Sequence, residues 1–361
     1  MSRTIIELPD ERNASASGSP TGSILDTSPG LRLTLAALQT QAQEIERLIG
    51  ASVEALSRPQ EWLRPDSTLI ADIARNAVPR WHFAMLNDTE RNEALGEAVR
   101  RTIPAGATVL DIGTGTGLLA MGAVRAGASH VYTCEANPLL AEIARQIIAE
   151  HGMSDSITVL NKRSTELVVG RELPRRVDVL ISEIVDCGLI GEGLLPTVRH
   201  ARAHLLAPGG VMMPVAARLY GQVIRSDAIT GLNRVSTADG FDVSLMNVAA
   251  TRGHFPVRLT TWPHETLSAP VELAAFDLVS GSLGPGSRAV SIPTTADGEA
   301  QALAVWFEMD LGAGITLRNA PENAHSHWMQ ALVPFEKPTS VTAGGRLDAE
   351  LGWTDWHLSV S

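Results

Sequence analysis

Two glutamates nine positions apart, Glu183 and Glu192, stand in the segment Ser182-Glu-Ile-Val-Asp-Cys-Gly-Leu-Ile-Gly-Glu192, downstream of a turn carrying Gly113, Gly115 and Gly117. Two carboxylates placed beside a cofactor site form a clamp for a planar cation, because a guanidinium offers its N–H donors in a matching fork. The chemistry that suits this pairing is methyl transfer onto a guanidino nitrogen. Without their flanking residues, the same two acids would equally read as a polar surface loop.

The glycine turn would supply the other reactant. A strand ending at Asp111 runs into Gly113, Thr114 and Gly115 and then a helix, which leaves backbone N–H groups open where a ligand can approach closely. The dinucleotide fingerprint needs a glycine at position 118, and Leu118 stands there. The turn therefore favours S-adenosylmethionine over NAD. An oxidoreductase also lacks its catalytic His or Tyr arrangement.

Glu135 ends the next strand 24 residues beyond Asp111, within reach of both ribose hydroxyls. Its bland reading is a neighbour of a helix N-cap. Ser164, Thr165 and Glu166 follow the third strand and are candidate adenine contacts, with Glu166 accepting from the exocyclic amine. Arg91 reads on composition as a solvated helix residue. Asp186 reads as a support of the glutamate loop, and Cys187 as a packed thiol.

These groups need a scaffold. Short apolar strands at 109–111, 131–134, 157–160 and 177–182 alternate with helical stretches at 117–127, 138–151 and 192–207, a pattern that specifies a parallel sheet with right-handed crossovers. Residues 68–101 read as helix. Beyond about residue 215, β-branched and alternating segments separated by turn residues indicate an antiparallel sandwich or barrel. The expected class is α/β, and a family resemblance carried by the segments below implies that the first core is a Rossmann-like domain over 67–214 and the second a β-barrel over 215–361. Residues 1–30 are too polar to offset the entropy of ordering and read as a flexible tail. Over 31–66 the positions Leu31, Leu35, Leu38, Ala42, Ile45, Ile49, Ser52 and Leu56 mark one helical stripe.

These segments together resemble the protein arginine methyltransferase family, most closely its monomethylating type III branch. The resemblance rests on Met85-Leu-Asn-Asp-Thr-Glu-Arg91-Asn92, Leu110-Asp-Ile-Gly-Thr-Gly-Thr-Gly-Leu-Leu119, Asn161-Lys-Arg-Ser-Thr-Glu166, the double-glutamate loop and His327-Trp-Met-Gln330. It covers roughly residues 70–340. The resemblance implies a class I methyltransferase domain joined at Pro214 to a barrel with a dimerisation arm near 228–252, a homodimer, and S-adenosylmethionine as cofactor. It also implies that Arg91 holds the methionine carboxylate, that Glu183 and Glu192 grip the acceptor, that His327 with an acidic neighbour relays the proton, and that Trp328 and Gln330 contact the substrate. The chain departs from the family in its cofactor-capping helix, where Pro79-Arg-Trp-His-Phe83 replaces the usual tyrosines and Trp81 or Phe83 would have to pack instead. The 31–56 helix has no counterpart in the family.

Composition narrows the partners. A net charge of −11 argues against nucleic acid and suits a cationic substrate. Two cysteines neither build a disulfide framework nor offer metal-ligand spacing, and no export signal or membrane-spanning run is read, so the expected compartment is the cytoplasm. Lys162 and Lys337 are the only lysines among 29 basic residues, a bias typical of GC-rich bacterial genomes, in which arginine-rich histones and Gly-Arg tails are not expected. Free L-arginine, converted to its Nω-methyl form in specialised metabolism, is therefore the preferred acceptor. The resemblance extends to a family member that acts in streptozotocin biosynthesis. An arginine within a protein or peptide is the alternative, and a non-catalytic scaffold the remote one.

Overall fold

A computed structural model describes residues 29–57, 74, 75 and 77–361. The chain divides into two compact units, 1–76 and 77–361. In the first, helix α1 (Pro29–Leu56) carries the expected stripe, and Leu35, Leu38, Ile45 and Ile49 on it are exposed. The tail expected over residues 1–30 lies, up to residue 28, outside the described residues.

The second unit opens with α2 (Trp81–Leu86) and α3 (Thr89–Thr102). The single helix expected over 68–101 is thus broken within its described part. Asp88 leaves helical geometry at ψ 92° and its side chain accepts from Arg91 N, which makes it the N-cap of a new helix.

Five strands, β1 (Thr108–Ile112), β2 (His130–Cys134), β3 (Ile157–Leu160), β4 (Val177–Ser182) and β5 (Leu206–Met213), form a parallel sheet in the order β3-β2-β1-β4-β5. Central β1 is buried at all five positions, as a strand covered on both faces must be. Helices α4 (Leu118–Arg125), α5 (Pro138–Glu150) and α6 (Leu194–His204) make the crossovers. The helix expected over 192–207 ends at His204, and Leu206 and Ala207 already belong to β5.

After a cis Met213–Pro214 bond the chain turns antiparallel. Strand β6 (Ala216–Arg225) leads to a short helix, α7 (Asp227–Thr230), and a small hairpin of β7 (Thr237–Ala238) and β8 (Phe241–Asp242). Then come β9 (Phe255–Val257), β10 (Glu265–Thr266), β11 (Val271–Asp277), β12 (Gly286–Pro293), β13 (Gly298–Gly312), β14 (Ile315–Arg318), β15 (Gln330–Val341), β16 (Arg346–Trp353) and β17 (Leu358–Val360). Seven of these curl into one barrel-like sheet along the path β10-β6-β13-β15-β9, and β12, β16 and β17 form another. One continuous apolar core, from Leu95 and Leu110 through Leu180 to Leu219, Phe307 and Leu351, runs through both halves. Among the described residues, no helix is long and apolar enough to cross a membrane.

Asn319, fully buried after β14, fastens the two halves together. Its side chain accepts from Phe307 N at 2.7 Å and donates to Cys187 O at 3.0 Å and to Met329 O at 2.7 Å. Replacing it by Ala strands two buried backbone groups, Phe307 N and Cys187 O, and frees the part-buried Met329 O, so Asn319→Ala should lose about 2 kcal/mol or more of stability. A urea denaturation midpoint unchanged from the parent would refute that accounting.

Candidate active site

A cavity of about 740 Å³ opens beyond the carboxyl ends of β1 and β4. This is the crevice where the strand order reverses, and where loops of an open sheet converge on a ligand. Gly113, Gly115, Glu135, Ser164 and Thr165 line one part, while Glu183, Glu192, His327, Trp328 and Trp356 line another.

The glycine turn is held by its neighbours. Gly113 N and Thr114 N both donate to Cys134 O at the end of β2, at 3.0 and 3.1 Å. Gly113 has φ +88°, and a Cβ there would fall 2.5 Å from the Ile184 side chain, so only glycine lets the turn pack on the glutamate loop. Asp111 is fully buried behind it; one oxygen accepts from the Thr133 hydroxyl at 2.7 Å, and the other has no partner among the described residues. Burial, with Glu135 and Glu183 nearby, pushes its carboxyl up to about 7. Glu135 accepts from Gly115 N at 3.1 Å and Asn137 N at 2.8 Å, which leaves each oxygen a second lone pair toward the cavity. An orphaned buried oxygen and a glycine cradle beside an anchored acid fit S-adenosylmethionine.

Two neighbouring expectations change here. Glu166 does not line the cavity; its carboxylate turns back to accept from Arg163 N at 3.2 Å and caps the short 3₁₀ turn Ser164–Glu166. Thr114 is buried with its hydroxyl paired to Thr133, away from the lining.

In the other part of the cavity, Glu183 follows the last residue of β4 and its side chain is 4% exposed. It forms an ion pair with Arg91, itself 5% exposed, so Arg91 is no solvated helix residue. The Asp88 cap sets the start of α3 so that Arg91 points inward. Its guanidinium sits 5.8 Å from the Trp328 ring centroid, one nitrogen donates to Asn92 Oδ1 at 2.8 Å, and its Nε is buried without a partner among the described residues. Burial pushes the Glu183 carboxyl above its ordinary value, and the Arg91 charge opposes that shift.

Glu192 stands at the far end of the loop, exposed to the open cleft. Loss of surrounding water and the charges of Glu183 and Asp186 together push its carboxyl up to about 7. Two like charges facing one cavity are held there by the fold at a cost that a bound cation would relieve.

His327 Nδ1 lies 2.9 Å from Asp88 Oδ2, and His327 N donates to the same oxygen at 2.8 Å. Burial works against the Asp88 carboxylate, but hydrogen bonds from Arg91 N and from His327 hold it below the usual range. Desolvation lowers His327, with the hydrogen bond to Asp88 opposing. Trp328 Nε1 donates to Val185 O at 3.0 Å. Gln330, expected at the substrate, lies outside the cavity: its amide accepts from Leu259 N and donates to Asn319 O, so both ends are engaged within the barrel. Trp81 stacks on His82 with ring centroids 3.8 Å apart, and both line the cavity, whereas Phe83 is exposed and outside it.

Sequence reading missed Asp88, His254 and Trp356. Asp88 carried a signal, an Asp immediately ahead of a helix. His254 and Trp356 come from segments 62 and 164 residues beyond Glu192, with nothing local to mark them.

Residues 215–354 match the arginine methyltransferase oligomerization subdomain, and residues 94–211 match ribosomal protein L11 methyltransferase. The chain is 62% identical over 330 residues to arginine N(omega)-methyltransferase of Streptomyces achromogenes subsp. streptozoticus, covering 91% of each. It is 33% identical over 306 residues to protein arginine N-methyltransferase 7 of Drosophila erecta, which takes in 73% of this chain and only 44% of that one. Among solved structures it superposes on the Trypanosoma brucei PRMT1 enzyme-prozyme heterotetrameric complex with AdoHcy with a TM-score of 0.64 and 25% identity, over 75% of this chain and 86% of that one. Parallel sheet and curled antiparallel sheet agree with these likenesses: the chain belongs to the protein arginine methyltransferase family, whose members use S-adenosylmethionine.

Proposed function

We propose that the enzyme transfers a methyl group to an ω-nitrogen of free L-arginine, giving Nω-methyl-L-arginine, and that Glu183 and Glu192 hold the acceptor. The observation that carries this reading is the ion pair between Arg91 and Glu183: a guanidinium already pairs with that buried carboxylate, which supports its fitness to hold another. S-adenosylmethionine supplies an electrophilic sulfonium methyl when bound. Gly113 and Gly115 would cradle it, Glu135 would accept from the ribose, Ser164 and Thr165 would flank the adenine, and Arg91 would offer its unsatisfied Nε side to the methionine carboxylate. Asp111 and Thr114 act from behind the turn, through its shape.

A guanidinium loses its proton only above about pH 12, so its nitrogens are poor nucleophiles in water. Carboxylates on two edges draw its positive charge toward themselves and leave the third nitrogen facing the donor. Positioning and fixed charge then provide most of the acceleration. With Nδ1–H of His327 given to Asp88, Nε2 is a bare acceptor for the proton released, and Trp328 walls the pocket.

The preference for the free amino acid rests on the arginine-over-lysine bias of the chain and on the name of the Streptomyces relative, which does not specify a protein substrate. We further propose a cytoplasmic homodimer serving specialised metabolism. Phe241, Leu245 and Met246 project apolar side chains at 66–70% exposure between β6 and β9, where the family resemblance puts a dimerisation arm.

Incubation with labelled S-adenosylmethionine and either free arginine or an arginine-rich peptide should label free arginine, and mass analysis should find one added methyl. Label in the peptide alone would replace the free amino acid with a peptidyl substrate. Glu183→Gln should lower kcat/KM by about 10²-fold or more, with the fold retained by circular dichroism but the denaturation midpoint lowered, because Arg91 loses its buried carboxylate partner. Full turnover in that variant would remove the clamp.

The pH dependence has a definite sign. Glu192 holds a proton below about 7 and cannot then attract the cation, so kcat/KM for arginine should rise as pH increases through about 7. Glu192→Gln should abolish that limb along with most of the activity. A parent profile flat between pH 6 and 8 would contradict the assignment.

A further inference from the structure

We propose that His254 is a positioning residue for methyl transfer: acting through Asp186, it sets the loop that carries Glu192 and ties that loop to the C-terminal strand. The proposal rests on Glu192 being an acceptor ligand.

The loop between the glutamates has no regular structure, yet its backbone is fixed at each step. Asp186 Oδ1 accepts from Gly188 N at 3.1 Å and Gly191 N at 2.8 Å, and Asp186 O accepts from Leu189 N at 3.1 Å, with Leu189 held at φ +76°. A single carboxylate thus folds six residues into a tight knot that ends at Glu192. The knot is closed from outside by His254, whose Nε2 lies 2.6 Å from Asp186 Oδ2. A Cβ at Gly188 would fall 2.6 Å from His254 Nε2, and one at Gly191 would fall 2.3 Å from Asp186 Oδ2. Glycine at both positions is what allows the ring and the carboxylate to come so close to the loop backbone.

The tautomer of His254 follows from its second contact. Leu358 N donates to His254 Nδ1 at 3.1 Å, so Nδ1 is bare and Nε2 carries the hydrogen given to Asp186. His254 is 7% exposed and lies just before β9, while Leu358 begins β17. The chain Leu358–His254–Asp186–loop therefore runs from the barrel-side sheets to the second glutamate without a gap. The adjoining Trp356 ring fills the space beside Gly193, the residue after Glu192, and lines the same cavity. None of these contacts reaches the glycine turn or Glu135.

That separation makes the role testable. Misplacing a reacting group by about 1 Å costs on the order of 10²-fold in rate. His254→Ala should therefore lower kcat/KM for arginine by about 10²-fold, while the Kd for S-adenosylmethionine, measured by calorimetry, stays within about twofold of the parent, since the brace does not touch the cofactor half. His254→Gln, whose amide can donate from the Nε2 position, should recover a large part of that loss. Should His254→Ala fail to fold, Asp186→Asn provides the same test, because its amide N–H would face the histidine N–H, and a tautomer shift would set Nδ1–H against Leu358 N–H. Parent-like kcat/KM in the variants, with Glu192→Gln inactive, overturns the brace and leaves the clamp standing. Equal loss of arginine turnover and of S-adenosylmethionine binding, unrelieved by Gln, reduces His254 to general stability and also overturns it. Full activity in Glu192→Gln would instead sink the clamp on which the brace depends.

Discussion

A carboxylate stripped of water requires a cation, and the site is organised around that requirement at Glu183. Its side chain is almost fully enclosed, and burial raises its carboxyl despite the Arg91 guanidinium against it. Removing one member of a buried ion pair is costly, because the remaining charge cannot be solvated. In the proposed reaction the acceptor guanidinium joins or replaces Arg91 at that carboxylate. The same demand for positive charge would then underlie both the architecture and the choice of substrate.

The two sheets contribute in different ways. The parallel sheet places its strand ends at the reversal of strand order, so the glycine turn, Glu135 and Glu183 reach the cavity from adjacent strands with little loop between them. The barrel-like half contributes no strand ends of this kind. It closes the cavity from outside with His327 and Trp328 at the start of β15 and Trp356 ahead of β17, and it fastens the glutamate loop through Asn319 and Trp328. The cofactor half therefore depends on local chain geometry, and the acceptor half on contacts between distant segments.

This difference explains what could be read from the sequence. The parallel strands, the glycine turn and the two glutamates are encoded within short windows whose period and residue types carry the meaning. The α/β class and the antiparallel second half followed from those windows. Glu166 and Gln330 lie outside the cavity, each engaged by backbone: Arg163 N for one, Leu259 N and Asn319 O for the other. Neither partner is visible in a pattern of residue types. Arg91 shows the converse, since a helix dipeptide gave no reason to bury it and only the cap at Asp88 and the carboxylate 92 positions away account for its place.

Asp88 also shows how the two halves of this unit share one reaction centre. Oδ1 accepts from Arg91 N and so fixes the start of α3, which aims Arg91 at Glu183. Oδ2 accepts from both the backbone N–H and the ring of His327, 239 positions further along the chain. One carboxylate thus sets the arginine that neutralises the acceptor clamp and the histidine proposed to take the proton. A shift of the barrel relative to the parallel sheet would pull on both at once. The geometry of Asp88 is satisfied only when the halves are in register, so that register and the placing of Arg91 and His327 are one constraint.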